Sequence, residues 1–136
     1  MKTNIIQVPI FHHTLQVLFG DYLEVKGALN SEFDVDDKLS DAMLAQIGKC
    51  IGFMWYCSDI DEYFLWVNTV PATIRDYGTL VHEIQHFVYL FLRNKGLSHC
   101  DESDELYSYL FEYIFVEIDC WISKLNEDAE SDKTKE

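Results

Sequence analysis

The sequence predicts an α+β domain in which a small, mainly antiparallel sheet is covered on one face by an N-terminal helix and two long C-terminal helices. The sheet is predicted from extended-chain residues between Asn4 and Val25, and from two aromatic runs, Ile51–Cys57 and Tyr63–Thr69, that flank a short acidic turn. The helices are predicted from apolar residues that recur every three or four positions elsewhere in the chain. The expected chain order is strands, one helix, a hairpin and two long helices.

The first part of the chain carries strand signals and then a helix signal. Residues Asn4–Val25 are expected to form one or two strands. Residues 27–34 have the composition of a loop. Asp36 or Asp37 can then cap a helix that runs to about Lys49.

The first long C-terminal helix has a recognisable start and end. Pro71 ends the second aromatic strand, and the helix is expected to begin near Thr73 or Thr79. It should run to Lys95, because Gly96 can adopt the left-handed conformation that terminates helices.

The second long helix should start in an acidic segment, Asp101–Asp104, because carboxylates are favourable at helix N-termini. We expect it to continue to about Leu125. Residues 126–136 are polar apart from one alanine, and they predict a disordered acidic tail. Residues 1–125 would then form a single domain.

The charge of the chain excludes several classes of partner. There are 10 Lys and Arg against 24 Asp and Glu, which gives a net charge of −14. Binding to phosphates requires clustered cations, so we expect neither nucleic acid nor an anionic membrane surface as a partner. No secretory signal and no uncharged apolar stretch of about 18–20 residues is visible. These observations predict a protein of the cytoplasm.

The four cysteines form no C-x-x-C pair, and we expect reduced thiols that are mostly buried.

One motif on the first long helix carries chemistry. The residues from His82 to His86 read H-E-x-x-H. Residues four apart on a helix project from the same face, so His82 and His86 can bind one tetrahedral metal ion. Glu83 lies beside them and can accept a proton from a water molecule on that metal. Zinc lowers the pKa of such a water to about 7.

The surroundings of the motif favour a metal over chance. Apolar residues flank His82 and His86 on nearly every side, which predicts a buried helix. Buried imidazoles and a buried carboxylate need polar partners, and a metal ion supplies them. The alternative interpretation is a pair of surface or hydrogen-bonded histidines.

A catalytic zinc site needs a third protein ligand. The extended motif that supplies a third histidine is absent, so we look to the following helix. Glu105 is the first candidate, because it begins an otherwise apolar helix beyond the turn at Gly96. A ligand at Cys100 would instead indicate a structural zinc. The other candidates are Asp101, Glu102 and Asp104.

These residues carry a resemblance to a known family. T-L-V-H-E-I-Q-H at Thr79–His86, the turn at Gly96 and D-E-S-D-E-L-Y-S-Y-L at Asp101–Leu110 resemble the minimal zincin metallopeptidases. The chain is particularly similar to small metallopeptidases encoded by bacteriophages, and to peptidases of mobile elements that cleave repressors.

The resemblance implies a zincin-like fold, one zinc ion per chain, and, for a phage protein, the cytoplasm of the host cell. It implies that the strand Tyr63–Thr69 pairs with an extended substrate. The implied roles are zinc ligand for His82, His86 and Glu105, and general base for Glu83.

The leading functional hypothesis is therefore a zinc-dependent peptidase that acts on a protein or peptide. Two alternatives remain open. One is a non-enzymatic acidic inhibitor or DNA mimic of a mobile element, which would use its carboxylates to occupy a basic site on another protein. The other is a zincin-like domain whose metal is purely structural and has four protein ligands.

Overall fold

The structure, a computed structural model, describes residues 1–33, 35–47 and 50–133 of the 136-residue chain. The backbone divides into two compact units, Met1–Phe87 and Val88–Glu136, and the boundary falls within the third helix. The elements, in chain order, are β1 (Lys2–Val8), β2 (His13–Phe19), α1 (Tyr22–Ser31), α2 (Asp37–Ile47), β3 (Gly52–Cys57), β4 (Glu62–Val67), α3 (Ile74–Asn94) and α4 (Asp104–Lys133).

In the described part of the chain, the strands form one four-stranded sheet in the order β1-β2-β4-β3. The β1–β2 and β3–β4 pairs are antiparallel hairpins, whereas β2 and β4 run parallel. The α+β class is confirmed, but the expectation of a mainly antiparallel sheet is wrong, because the sheet is mixed. Each hairpin pairs strands that follow each other in the chain. The two hairpins are joined by the parallel pairing of β2 with β4, and the connection between these two strands contains α1, α2 and β3.

Helices cover both faces of this sheet, not one face as predicted. Phe64 and Trp66 of β4 belong to a core cluster that also contains Leu29 of α1 and Leu44 of α2. The alternate β4 residue, Tyr63, points to the opposite face. Its ring packs edge-to-face on Phe87 of α3, with centroids 5.6 Å apart. The central strands are therefore buried on both sides, so they lack the alternation of a half-exposed strand.

Helix α1 occupies residues that the sequence analysis assigned to the end of a strand and to a loop. Asp21 caps it: the Asp21 side chain accepts hydrogen bonds from the backbone N–H groups of Leu23 and Glu24. The Glu24 carboxylate in turn accepts from the Asp21 N–H at 2.9 Å. This reciprocal capping box is the local signal for the helix.

Helix α2 begins as predicted, at Asp37, and the Asp36 carbonyl accepts an early helical hydrogen bond from the Ser40 N–H. The predicted end near Lys49 lies outside the described residues. The predicted hairpin of two aromatic strands is confirmed as β3 and β4.

The predicted limits of α3 are confirmed at both ends. Thr73 and Asp76 form a capping box: the Asp76 N–H donates to the Thr73 hydroxyl, and the Asp76 carboxylate accepts from the Thr73 N–H. At the other end Gly96 has φ of 80°. The N–H groups of Gly96 and Leu97 donate to the carbonyls of Arg93 and Leu92, which is a Schellman motif.

Helix α4 begins at Asp104, within the predicted acidic segment, but it continues to Lys133 and not only to about Leu125. Its buried residues lie three or four apart on one stripe, whereas residues 126–133, where the sequence predicted a disordered tail, are exposed and helical. Residues 134–136 of that tail lie outside the described residues. Within the described ranges, no helix combines the length and apolar character needed to cross a membrane.

The four cysteines are all unpaired thiols, but the expectation that they are mostly buried is wrong. Cys57 is buried in the sheet, and the other three are exposed: Cys50, Cys100 and Cys120.

Candidate metal and active site

The two motif histidines lie side by side on one face of α3. Their Nε2 atoms are 3.0 Å apart, and their rings are nearly perpendicular. Two nitrogen ligands of one tetrahedral zinc, each at about 2.0–2.1 Å, lie roughly 3.3 Å from each other. The separation between His82 Nε2 and His86 Nε2 therefore fits a shared zinc ion with little movement.

Both imidazoles are exposed, which corrects the prediction of a helix buried on nearly every side. Leu80, Ile84 and Phe87 form the buried face of α3, whereas the face that carries the histidines is open to solvent. A separation of 3.0 Å is also a hydrogen-bond distance, so the histidine pair by itself fits both a metal site and a surface pair. Glu83 is the third residue of the motif, and its surroundings differ from those of the histidines.

Glu83 is a buried carboxylate beside the histidine pair. Only 6% of Glu83 is exposed to solvent. This burial raises the pKa of the Glu83 carboxyl above the ordinary range of glutamate. The positive charge that His82 can carry opposes this shift but is the smaller effect. Within the described part of the chain, no hydrogen bond to the Glu83 carboxylate is found. A carboxylate in this position can act as a general base towards a water molecule in the adjoining cleft.

Gly52, the first residue of β3, lies directly against this carboxylate. A Cβ atom at position 52 would come within 2.6 Å of Thr79 Cγ2 and 3.1 Å of Glu83 Cγ. Only glycine allows the strand to approach α3 this closely without a shift. Gly52 was not among the predicted site residues. Its only signal in the sequence is a glycine in an aromatic strand, and close approach of another segment is one of the reasons for such a glycine.

An open cleft of about 560 Å³ lies between the start of β3 and the N-terminal half of α3. The exposed His82 and the buried Glu83 both form part of its wall. The lining residues are Cys50, Ile51, Gly52, Arg75, Gly78, Thr79, His82 and Glu83.

The strand that the resemblance assigned to substrate pairing is not free to pair. Most of the segment Tyr63–Thr69 forms β4, which already lies between β2 and β3. The strand at the edge of the sheet on this side is β3, and its first residue borders the cleft. The assignment to Tyr63–Thr69 is therefore wrong, because both edges of β4 are already paired within the sheet.

The candidates for the third ligand all lie in the second unit, in or just before the first turn of α4, and all are exposed. Asp104 accepts a hydrogen bond from His99 Nε2 at 2.9 Å. A contact with Cys100 is the main cause that lowers the pKa of Glu102. No group of three or more potential ligands is found among the described residues. Glu105 as third ligand stays a prediction, as do its alternatives Asp101, Glu102, Asp104 and Cys100.

In comparisons with known proteins, no family model, curated protein or solved structure matches this chain. The function must therefore be argued from the site itself.

Proposed function

We propose that this protein is a zinc-dependent peptidase with a zincin-like fold that hydrolyses peptide bonds in a protein or peptide. One observation carries the proposal: two imidazole nitrogens 3.0 Å apart lie beside a buried carboxylate at the wall of an open cleft. This combination provides two metal ligands and a base within reach of a substrate.

In the proposed site His82, His86 and Glu105 would hold one zinc ion per chain. The bound ion would act as a Lewis acid and lower the pKa of water to about 7. Glu83 accepts the proton of the attacking water and then donates it to the leaving amine. Burial supports the role as base, because it raises the pKa of Glu83 above its ordinary range and a more basic carboxylate is a stronger proton acceptor.

The substrate of the proposed enzyme is a peptide in extended conformation. The edge strand β3 supports this choice, because an extended peptide can add to the edge of a sheet through main-chain hydrogen bonds. Gly52 at the start of β3 lies against Glu83, so a peptide bound along this edge passes close to the base. We propose the cytoplasm of a phage-infected host cell as the setting, on the basis of the family resemblance alone.

The proposal is tested with Glu83→Gln, which removes the base and keeps the shape of the side chain. Zinc-loaded protein is incubated with peptides from a digested proteome, and new termini are identified by mass spectrometry. We expect wild type to cut peptides, and Glu83→Gln to do so about 100-fold to 10,000-fold more slowly with zinc still bound.

The matched control is Glu127→Gln, which makes the same change at an exposed position on α4 and should cut at the wild-type rate. Absence of cleavage by zinc-loaded wild type, or an equal rate for Glu83→Gln, would refute the peptidase proposal.

A further inference from the structure

The cleft beside Glu83 is lined by a positively charged side chain, Arg75, although the protein as a whole is strongly acidic. The net charge of the chain is −14. Among the described residues that line the cleft, Arg75 is the only one with a permanent positive charge. It is exposed and lies in the first turn of α3, on the same wall as Thr79 and His82.

The neighbouring carboxylate does not neutralise Arg75 through a direct contact. Asp76 accepts hydrogen bonds from the Ala72 N–H, the Thr73 N–H and the Thr73 hydroxyl. These bonds are the main reason that its pKa is lowered, and the charge of Arg75 makes the smallest contribution. No ion pair with Arg75 is found within the described ranges. The guanidinium is therefore available to a ligand in the cleft.

Arg75 and the histidines lie on one stripe of α3. His82 lies seven positions after Arg75, which is about two helical turns, or roughly 10 Å along the axis. An extended peptide covers that distance with about three residues, at roughly 3.3 Å per residue.

The helix surface between Arg75 and His82 is clear. Gly78 lies there, and a Cβ atom at position 78 would meet no other atom within 4 Å. This part of the cleft wall therefore leaves room for a ligand.

We infer that Arg75 selects substrates by binding a carboxylate that lies about two to four residues from the peptide bond that is cut. The inference rests on the proposed peptidase function and names the substrate class of that same site. A guanidinium binds a carboxylate through two parallel hydrogen bonds, which fixes the position of the peptide. The rest of this acidic surface repels carboxylates, so the preference is confined to the position beside Arg75.

The carboxylate can come from an aspartate or glutamate side chain or from the C-terminus of the peptide. The cleavage map of the proteome-derived peptides distinguishes these sources. A side chain would enrich acidic residues at one position relative to the cut, whereas a C-terminal carboxylate would place the cuts at a fixed distance from the end and abolish them in amidated peptides.

The test compares Arg75→Gln with Lys124→Gln. Both variants remove one positive charge, but Lys124 is an exposed residue of α4 and is not part of the cleft lining. For peptides that differ only by Asp against Asn, or by a free against an amidated C-terminus, we expect wild type and Lys124→Gln to prefer the charged form in kcat/KM by about threefold to tenfold. In Arg75→Gln the preference should disappear.

A binding measurement separates this inference from the catalytic proposal. Fluorescein-labelled forms of the same peptides are titrated against Glu83→Gln and against the double variant that also carries Arg75→Gln. Anisotropy should show about threefold to tenfold tighter binding of the charged peptide, and only when Arg75 is present.

The outcomes are distinguishable. If wild type cuts no peptide, the peptidase proposal fails, and the binding ratio still decides the role of Arg75. If wild type cuts peptides with no carboxylate preference, or with a preference that survives Arg75→Gln, the inference about Arg75 fails alone. Equal binding of the charged and neutral peptides, or binding of neither, would also overturn it.

Discussion

Gly52 lies in close contact with the candidate base Glu83. Gly52→Ala would introduce a Cβ atom 2.6 Å from Thr79 Cγ2 and 3.3 Å from Glu83 Oε1. We expect a loss of about 1–3 kcal/mol in the free energy of unfolding, because the packed segments must move apart. We also expect slower peptide cleavage, because Glu83 is displaced. Urea denaturation and the cleavage assay measure the two effects.

The control for this prediction is Gly27→Ala in α1. A Cβ atom at position 27 would meet nothing within 4 Å, so alanine should stabilise the helix by up to about 1 kcal/mol and leave cleavage unchanged. A Gly52→Ala protein with wild-type stability and rate would show that the contact between β3 and Glu83 has no role.

The proposed third zinc ligand, Glu105, can be tested by changing single residues. We expect Glu105→Gln to lower the zinc affinity by at least about 100-fold, since loss of a direct ligand should exceed the effect of losing an outer-shell partner. Competition with a fluorescent zinc chelator measures this affinity. The controls remove the neighbouring carboxylates one at a time and should change the affinity little: Asp101→Asn, Glu102→Gln and Asp104→Asn. If one of these controls loses zinc instead, that residue is the ligand and the assignment to Glu105 is wrong.

At the scale of secondary-structure elements, both ends of α3 could be predicted from the sequence. Thr73, Asp76 and Gly96 act through hydrogen bonds within a few residues of themselves, so the start and end of the helix are visible in the local sequence. The spacing of His82 and His86 is equally local, and it brought their nitrogens together as predicted.

The capping box of α3 makes a prediction about pH. Hydrogen bonds from Thr73 and Ala72 lower the pKa of Asp76 below its ordinary value of 3.8, so the folded state favours the ionised carboxylate. This stabilisation is fully present above pH 3.8 and is lost as the pH falls through the lowered pKa of the folded state.

Asp76→Ala should therefore reduce the urea midpoint at pH 7, and the difference from wild type should shrink at pH values below 3.8. Asp59→Ala, in the exposed turn between β3 and β4, controls for the removal of one negative charge. An equal deficit for Asp76→Ala at neutral and acidic pH would contradict the role of its ionised carboxylate.

Other elements were not predicted correctly, for two different reasons. Helix α1 has a local signal in the capping box of Asp21 and Glu24, but Gly27 and Asn30 have weak helix propensity and mask it, and Val25 and Leu29 stabilise the helix by packing into the core beside β4. The parallel pairing of β2 with β4 joins strands separated by two helices and another strand. That pairing places β4 inside the sheet and makes β3 its edge, which the local pattern of neither strand indicates.

At the scale of the whole molecule, the order of strand and helix signals predicted the α+β class, but not the surface exposure of the site. The histidine pair lies on an open face of α3 because the apolar residues of that helix bury the opposite side against the sheet. The cleft, and therefore the position of Arg75 in its wall, depends on the approach of β3 to α3. The spacing of residues in the sequence does not predict that approach.

The proposed function depends first of all on a zinc ion bound by His82 and His86. The most direct test is elemental analysis of untagged protein, purified under reducing conditions and supplied with zinc, for wild type, His86→Ala and His12→Ala. His12 is an exposed histidine in the turn between β1 and β2, so its removal controls for the loss of one imidazole. We predict about one zinc per chain in wild type and His12→Ala, and none in His86→Ala. Zinc that is absent from wild type, or retained in His86→Ala, would contradict the metal site and favour the acidic inhibitor as the function.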